Sequence, residues 1–121
     1  MSEGRAPIIL RMVSAETIQA IADHISREFH PQRVILFGSH ARGDAREHSD
    51  VDLFVEMERT LPYIEVVTDL RKSIRKVFGA ALFSMDIVVS RPEETQLWAK
   101  ARASLVSTIL REGKVLYEQG A

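Results

Sequence analysis

The chain has 121 residues, 45% of them hydrophobic, which is enough to build one ordinary packed domain. Its 16 basic and 17 acidic residues nearly cancel, and a net charge of -1 makes nucleic acid an unexpected partner. The absence of cysteine excludes disulfides and thiol catalysis. The apolar runs are too short to cross a membrane and the N-terminus lacks a signal-peptide pattern, so we expect a cytoplasmic protein with no membrane partner.

Hydrophobic periodicity and helix-capping residues predict that helices and strands alternate along the chain. The predicted elements are an N-terminal arm at 1–13, a helix at 14–29, a strand at 33–37, a turn with a short helix at 38–48, a strand at about 51–57, a helix at 62–79, a strand at about 81–90, a helix, continuous or interrupted, at 92–111, and a short strand at 115–117. We expect residues 14–121 to form one domain. The order of elements predicts an α/β (α+β) fold, in which helices pack on a small mixed sheet.

The most informative stretch joins the end of the first strand to the start of the second. One apolar run ends in Gly38-Ser39, and Asp50 and Asp52 open the next apolar run. Because side chains alternate along a strand, both carboxylates point to the same side, roughly 6–7 Å apart along the backbone. Such a pair can bind divalent metal ions, and a Gly-Ser turn offers N–H groups and a hydroxyl to phosphate oxygens. Together they favour chemistry on a nucleoside triphosphate.

Each of these residues also has a purely structural interpretation. Gly38-Ser39 alone could be a plain strand-to-helix turn, and Asp50 an ordinary turn residue. Asp52 is harder to explain in this way, because it lies among valine, leucine and phenylalanine, where an unpaired aspartate is costly. Asp86 interrupts the third strand similarly. It either faces water on an edge strand or, if the second and third strands are neighbours, joins the other carboxylates at a metal site.

Other charged and aromatic residues carry weaker signals. Arg42 could contact phosphates or be solvated, and the four histidines lack zinc-ligand spacing. Trp98 could pack on the core or mark an interface, and the sequence leaves both open. A basic cluster late in the long helix is expected to be a solvated face that suits the helix dipole. Its members are Arg71, Lys72, Arg75 and Lys76.

The spacing of Gly38-Ser39 and Asp50-Val51-Asp52, with ten residues between them, resembles the nucleotidyltransferase superfamily that includes DNA polymerase beta. Residues 36–43 and 49–53 resemble more closely the minimal nucleotidyltransferases, small prokaryotic domains often encoded beside a HEPN-domain protein as toxin–antitoxin pairs. Residues 109–118 also resemble the end of such domains. The resemblance covers most of the chain and implies the polymerase beta-like nucleotidyltransferase fold.

The resemblance implies a role for each motif residue. Gly38 and Ser39 would bind the triphosphate of ATP, to which Arg42 is a further candidate contact from its place in the loop, and Asp50, Asp52 and Asp86 would be catalytic and would ligate two Mg²⁺ ions. The third carboxylate would lie near the acceptor hydroxyl. One departure is His40, since arginine or tyrosine is commoner there in this family. The implied activity is magnesium-dependent transfer of a nucleoside monophosphate, AMP from ATP being the first choice, to a hydroxyl group.

The sequence leaves the acceptor open. Because we expect no separate acceptor-binding domain, the first choice is a hydroxyl, preferably tyrosine, on a HEPN-type toxin partner, which would make the chain a type VII-like antitoxin. The second choice is a small-molecule nucleotidyltransferase, such as one that modifies aminoglycosides. It would need another protomer of a homo-oligomer to complete the binding site for the acceptor. A nucleic-acid end is third, disfavoured by the neutral net charge. If the chain is not an enzyme, the alternative is a non-catalytic antitoxin or binding module.

Overall fold

A computed structural model describes residues 13–79 and 83–120, so nearly all of the predicted N-terminal arm lies outside the described residues. The elements are α1 (Ala15–Phe29), β1 (Arg33–Phe37), α2 (Ser39–Arg42), β2 (Val51–Glu56), α3 (Tyr63–Phe78), β3 (Met85–Ser90), α4 (Pro92–Ala99), α5 (Leu105–Glu112) and β4 (Lys114–Glu118). The strands form one mixed sheet in the order β3-β2-β1-β4. The predicted α/β fold, a small mixed sheet with helices packed on it, is confirmed. Within the described ranges, every helix is too short or too polar to span a membrane.

Helix boundaries follow from capping residues that are visible in the sequence. Ser14 Oγ accepts a hydrogen bond from the Thr17 N–H at 3.0 Å, which satisfies a donor that the first turn of α1 leaves unpaired. Ser104 Oγ does the same for the Ser107 N–H at 3.0 Å. Because Ser104 starts a new helix, the helical stretch predicted at 92–111 is interrupted and forms α4 and α5.

The third strand begins later than predicted. β3 starts at Met85 rather than near residue 81; Phe83 and Ser84 precede it, and residues 81 and 82 lie outside the described range. The reason is the length of its partner, because β2 begins at Val51, which pairs with Met85. Phe83 and Ser84 therefore lie outside the paired part of the strand.

The two faces of the sheet pack against different helices. One face meets α1 and α3 in the main core, to which β2 contributes Val51, Leu53 and Val55. The other face meets α5, where Ile109 packs with Ile35 and Phe54 in a smaller cluster. Since side chains alternate along β2, Asp52 belongs to the face of Phe54 rather than to the main core.

The strand directions bring three chain segments to one end of the sheet. β2 and β3 are parallel and joined through α3, so their N-terminal ends lie side by side. β1 is antiparallel to β2, and Phe37 at its C-terminal end pairs with Asp52. The turn that follows β1 therefore meets the starts of β2 and β3.

Candidate active site

Two aspartates lie opposite each other where β2 and β3 begin. Asp52 is in register with Asp86, and neighbouring strands are about 4.8 Å apart. Residues paired in register project to the same face, so both carboxylates lie on the side of the sheet that packs against α5. The structure thus brings together the two strand aspartates that the sequence singles out.

Asp50 continues this arrangement one residue before β2. Its Oδ1 accepts a 2.6 Å hydrogen bond from Ser84 Oγ, and the Val51 N–H donates to the Ser84 carbonyl at 3.0 Å. The β2–β3 pairing therefore extends beyond the strands and fixes the Asp50 carboxylate. The sequence does not single out Ser84, although its spacing of two from Asp86 places both on one face.

The pKa of Asp52 reflects burial and the presence of other carboxylates nearby. Its pKa is raised above the ordinary aspartate value, first by burial and then by the negative charges of Asp86 and Asp50. The nearby His40 acts in the opposite direction and lowers the pKa. Asp52 is therefore repelled by both Asp86 and Asp50, a condition that a bound cation would relieve.

The turn after β1 is shaped to pass close to Asp52. Gly38 has φ 75° and ψ −156°, a conformation that is essentially restricted to glycine. A Cβ at this position would collide with Asp52 Oδ2 and lie 3.1 Å from Asp52 Cγ. Both the backbone angles and the space therefore require glycine, and the turn holds its backbone against the carboxylate.

Short helix α2 begins directly after this turn, at Ser39. The Ala41 and Arg42 N–H groups donate to the Gly38 carbonyl at 3.1 Å and 3.0 Å. The N–H groups of Ser39 and His40 precede these first helical donors and are left for other acceptors. Such groups suit phosphate oxygens.

The side chain of Arg42 lies at the C-terminal end of α2. Its Nε pairs with Asp44 Oδ2 at 3.4 Å, and both side chains are largely exposed. This geometry neither uses nor excludes a phosphate contact, so the role of Arg42 stays a prediction.

The carboxylates are oxygen ligands of the kind that Mg²⁺ prefers. Within residues 13–79 and 83–120, however, no three histidine or acidic side chains are arranged as a ready-made metal cage. Magnesium usually takes one or two protein carboxylates and completes its shell with water and substrate phosphates. The paired Asp52 and Asp86, next to the Gly38 turn, fit that second mode.

Residues 19–120 match the family described as "Polymerase beta, Nucleotidyltransferase". The chain belongs to this family. Candidate protein adenylyltransferase MJ0604 of Methanocaldococcus jannaschii is 32% identical to it over 87 residues, which cover 71% of this chain and 78% of the relative. Protein adenylyltransferase MntA of Thermococcus cleftensis is 26% identical over 107 residues, covering 85% and 96%. The resemblance to the polymerase beta superfamily is thus confirmed.

A further relative and two solved structures extend the comparison for this nucleotidyltransferase. Candidate protein adenylyltransferase MJ1305 of Methanocaldococcus jannaschii is 35% identical over 88 residues, covering 71% of this chain but only 58% of the relative. A candidate nucleotidyltransferase from Sulfolobus solfataricus aligns with TM-score 0.57, 18% identity, and coverage of 86% and 79%. A toxin–antitoxin structure with AMP-PNP aligns with TM-score 0.51, 21% identity, and coverage of 89% and 76%. These two structures share the fold.

Replacing Asp52 with asparagine should stabilise the ligand-free nucleotidyltransferase at neutral pH. A carboxyl whose pKa is raised by folding destabilises the folded state when ionised, so its removal should raise the melting temperature by about 1–4 °C at pH 7.5. The gain should shrink as the pH falls through the raised pKa and should vanish near pH ~3.9, where the carboxyl is also protonated in the unfolded chain.

Thermal unfolding followed by circular dichroism from pH 3.5 to 8 checks this expectation. Asp69→Asn, which removes the same charge from an exposed position on α3, is the matched control and should shift little. A loss of stability in Asp52→Asn at pH 7.5 would contradict the electrostatic account and would mark Asp52 as a structural residue.

Proposed function

We propose that this nucleotidyltransferase transfers AMP from ATP to a hydroxyl group on a HEPN-type toxin partner and so acts as a type VII-like antitoxin. The observation that carries the proposal is the register that sets Asp52 beside Asp86, next to the Gly38 turn. Support for the acceptor class comes from relatives named protein adenylyltransferases, and support for the partner comes from the toxin–antitoxin structure with AMP-PNP.

The triphosphate would bind where the Gly38 turn meets the carboxylates. The N–H groups of Ser39 and His40 would donate to its oxygens, and the absence of a Cβ at Gly38 lets this turn lie directly against the Asp52 carboxylate. Magnesium, when bound by the aspartates together with the triphosphate, would neutralise negative charge there and help to align the attack. Asp50 is already positioned for this role by Ser84.

The acceptor would approach Asp86 from the open edge of the sheet. Asp86 is exposed and lies on β3, which is at the edge in the order β3-β2-β1-β4. In the reaction, the acceptor oxygen attacks the α-phosphorus, the bond to pyrophosphate breaks, and the Asp86 carboxylate takes the hydroxyl proton. A tyrosine hydroxyl, with a pKa of about 10, needs such a base at neutral pH.

Removing this base should abolish most of the transfer. Incubating the chain with a candidate HEPN-domain partner, ATP and Mg²⁺ should add the mass of AMP to the partner, as measured by intact-protein mass spectrometry. Asp86→Asn should lower the rate by about 100-fold to 10,000-fold, the range for general-base removal. Asp69→Asn on α3 is the control and should keep wild-type activity.

The same assay separates the proposal from its rivals. If an aminoglycoside is modified and the partner is not, the chain is a small-molecule nucleotidyltransferase. If the partner stays unmodified but is still inhibited by an Asp50→Asn, Asp52→Asn double variant, the chain is a non-catalytic antitoxin.

A second test concerns the turn that holds the triphosphate. Gly38→Ala should lower AMP transfer by about 100-fold, because its Cβ displaces the Asp52 carboxylate and small misplacements in an active site are costly. Gly43→Ala is the matched control: Gly43 also has positive φ, at 87°, but its added Cβ would meet no atom within 4 Å. Both variants should lose some stability, and equal losses of activity would refute the close-approach argument.

A further inference from the structure

The C-terminal half of α3 carries a dense positive charge. We call Arg71, Lys72, Arg75 and Lys76 the basic patch. No acidic residue occurs from Leu70 to Gly79, and in the described part of the chain none of the patch side chains forms an ion pair. Three of the four are exposed, whereas Arg71 is half-buried. The patch therefore concentrates four positive charges in one half of α3 on a protein of net charge -1, with Asp69 as the nearest acidic residue along the helix.

The basic patch lies at the same end of the sheet as the active-site carboxylates, but on the face that α3 covers rather than on the face that carries Asp52 and Asp86. A cavity of about 240 Å³ is lined by Arg71 and Arg75 together with Phe83, Ser84 and Met85. Ser84 is the residue whose hydroxyl donates to Asp50 at 2.6 Å. The cavity therefore borders the active site at the β3 edge, where we place the entry of the acceptor.

Favourable interaction with the helix dipole does not account for the whole patch. That effect falls off within the last turn of a helix, which here contains Arg75 and Lys76. Arg71 and Lys72 lie further back. Arg71 Nη1 donates to the Met85 carbonyl at 2.6 Å, so its guanidinium is fixed at the start of β3 instead of reaching the helix end.

We propose that the basic patch binds acidic side chains that flank the acceptor hydroxyl on the partner polypeptide. This inference rests on the proposed protein acceptor and adds its chemistry. The site itself is negative, so an acidic segment gains affinity only where the positive surface of α3 lies beside it. Complementary charge of this kind orients the acceptor and speeds its encounter with the site. The hydroxyl would then sit at Asp86 while its acidic neighbours lie along α3.

The test variant is Lys72→Gln, Arg75→Gln, Lys76→Gln. Arg71 is kept because its guanidinium donates a hydrogen bond to the Met85 carbonyl. Glutamine has a helix propensity close to that of lysine and arginine, so α3 should persist. The matched control is the triple variant Arg27→Gln, Lys100→Gln, Arg102→Gln, which removes the same charge from exposed positions on α1 and in the α4–α5 connection.

The binding probe is a fluorescent peptide with one tyrosine flanked by glutamates, compared with the same peptide carrying glutamines. Measured by fluorescence anisotropy in 50 mM salt with Mg²⁺ and a non-hydrolysable ATP analogue, the patch variant should bind the acidic peptide about tenfold more weakly than wild type. The glutamine peptide should bind both proteins equally. Raising the salt to 0.5 M should remove most of the difference, because surface charges are then screened.

Equal affinity of wild type and patch variant for the acidic peptide, or an equal loss in the control variant, would overturn the inference. So would a fall in affinity for the ATP analogue, which would place the patch at the triphosphate, or a loss confined to a single-stranded oligonucleotide, which would favour nucleic acid. Peptide binding does not depend on AMP transfer, so failure of the proposed function is seen separately. Where transfer occurs, the patch variant should raise the KM for the partner about tenfold and leave kcat unchanged.

Discussion

The parallel pairing of β2 with β3 is the constraint on which the rest of the site depends. It sets Asp52 opposite Asp86 and Asp50 opposite Ser84. A slip of one residue would turn Asp52 into the main core and bring Val51 out to the site. Such a slip is strongly opposed because it would place the acidic Asp52 and Glu56 in the main core, where Leu53 and Val55 are now fully buried. The hydrophobic core thus fixes the positions of carboxylates that are not part of that core.

A second acid on the same face of β2 shows why the Asp52 environment indicates function. Glu56, at the other end of the strand, is buried but paired with Arg33 at 2.8 Å. Its charge is thereby compensated within the fold. The charges that bear most on Asp52 are other carboxylates, Asp86 and Asp50. Natural sequences tolerate such local conflict chiefly at functional sites, where a ligand compensates it.

Much of this arrangement could be predicted from the sequence because it depends on local patterns. The helix starting at Ser14 and the Gly38 turn follow from capping and turn chemistry, and Asp52 within an apolar strand already indicates a site. The adjacency of β2 and β3 was a condition that the sequence left open, and only the sheet order answers it. The roles of these residues in catalysis stay predictions.

Contacts between segments that are distant in the chain could not be predicted from the sequence. The Ser84 bond to Asp50, the Arg71 bond to Met85 and the late start of β3 all arise from tertiary pairing rather than from local preference. The sequence also left open whether Trp98 packs on the core or marks an interface. In the structure this residue is half exposed, at 52%.

The paired aspartates and the Gly38 turn are proposed to form one metal-dependent triphosphate site. Isothermal titration calorimetry with a non-hydrolysable ATP analogue tests it most directly, with and without Mg²⁺, on wild type, Asp52→Asn and the Asp69→Asn control. Wild type and Asp69→Asn should bind the analogue only when Mg²⁺ is present, and Asp52→Asn should not bind it. Binding that is equally tight without Mg²⁺, or that survives unchanged in Asp52→Asn, would contradict this proposal.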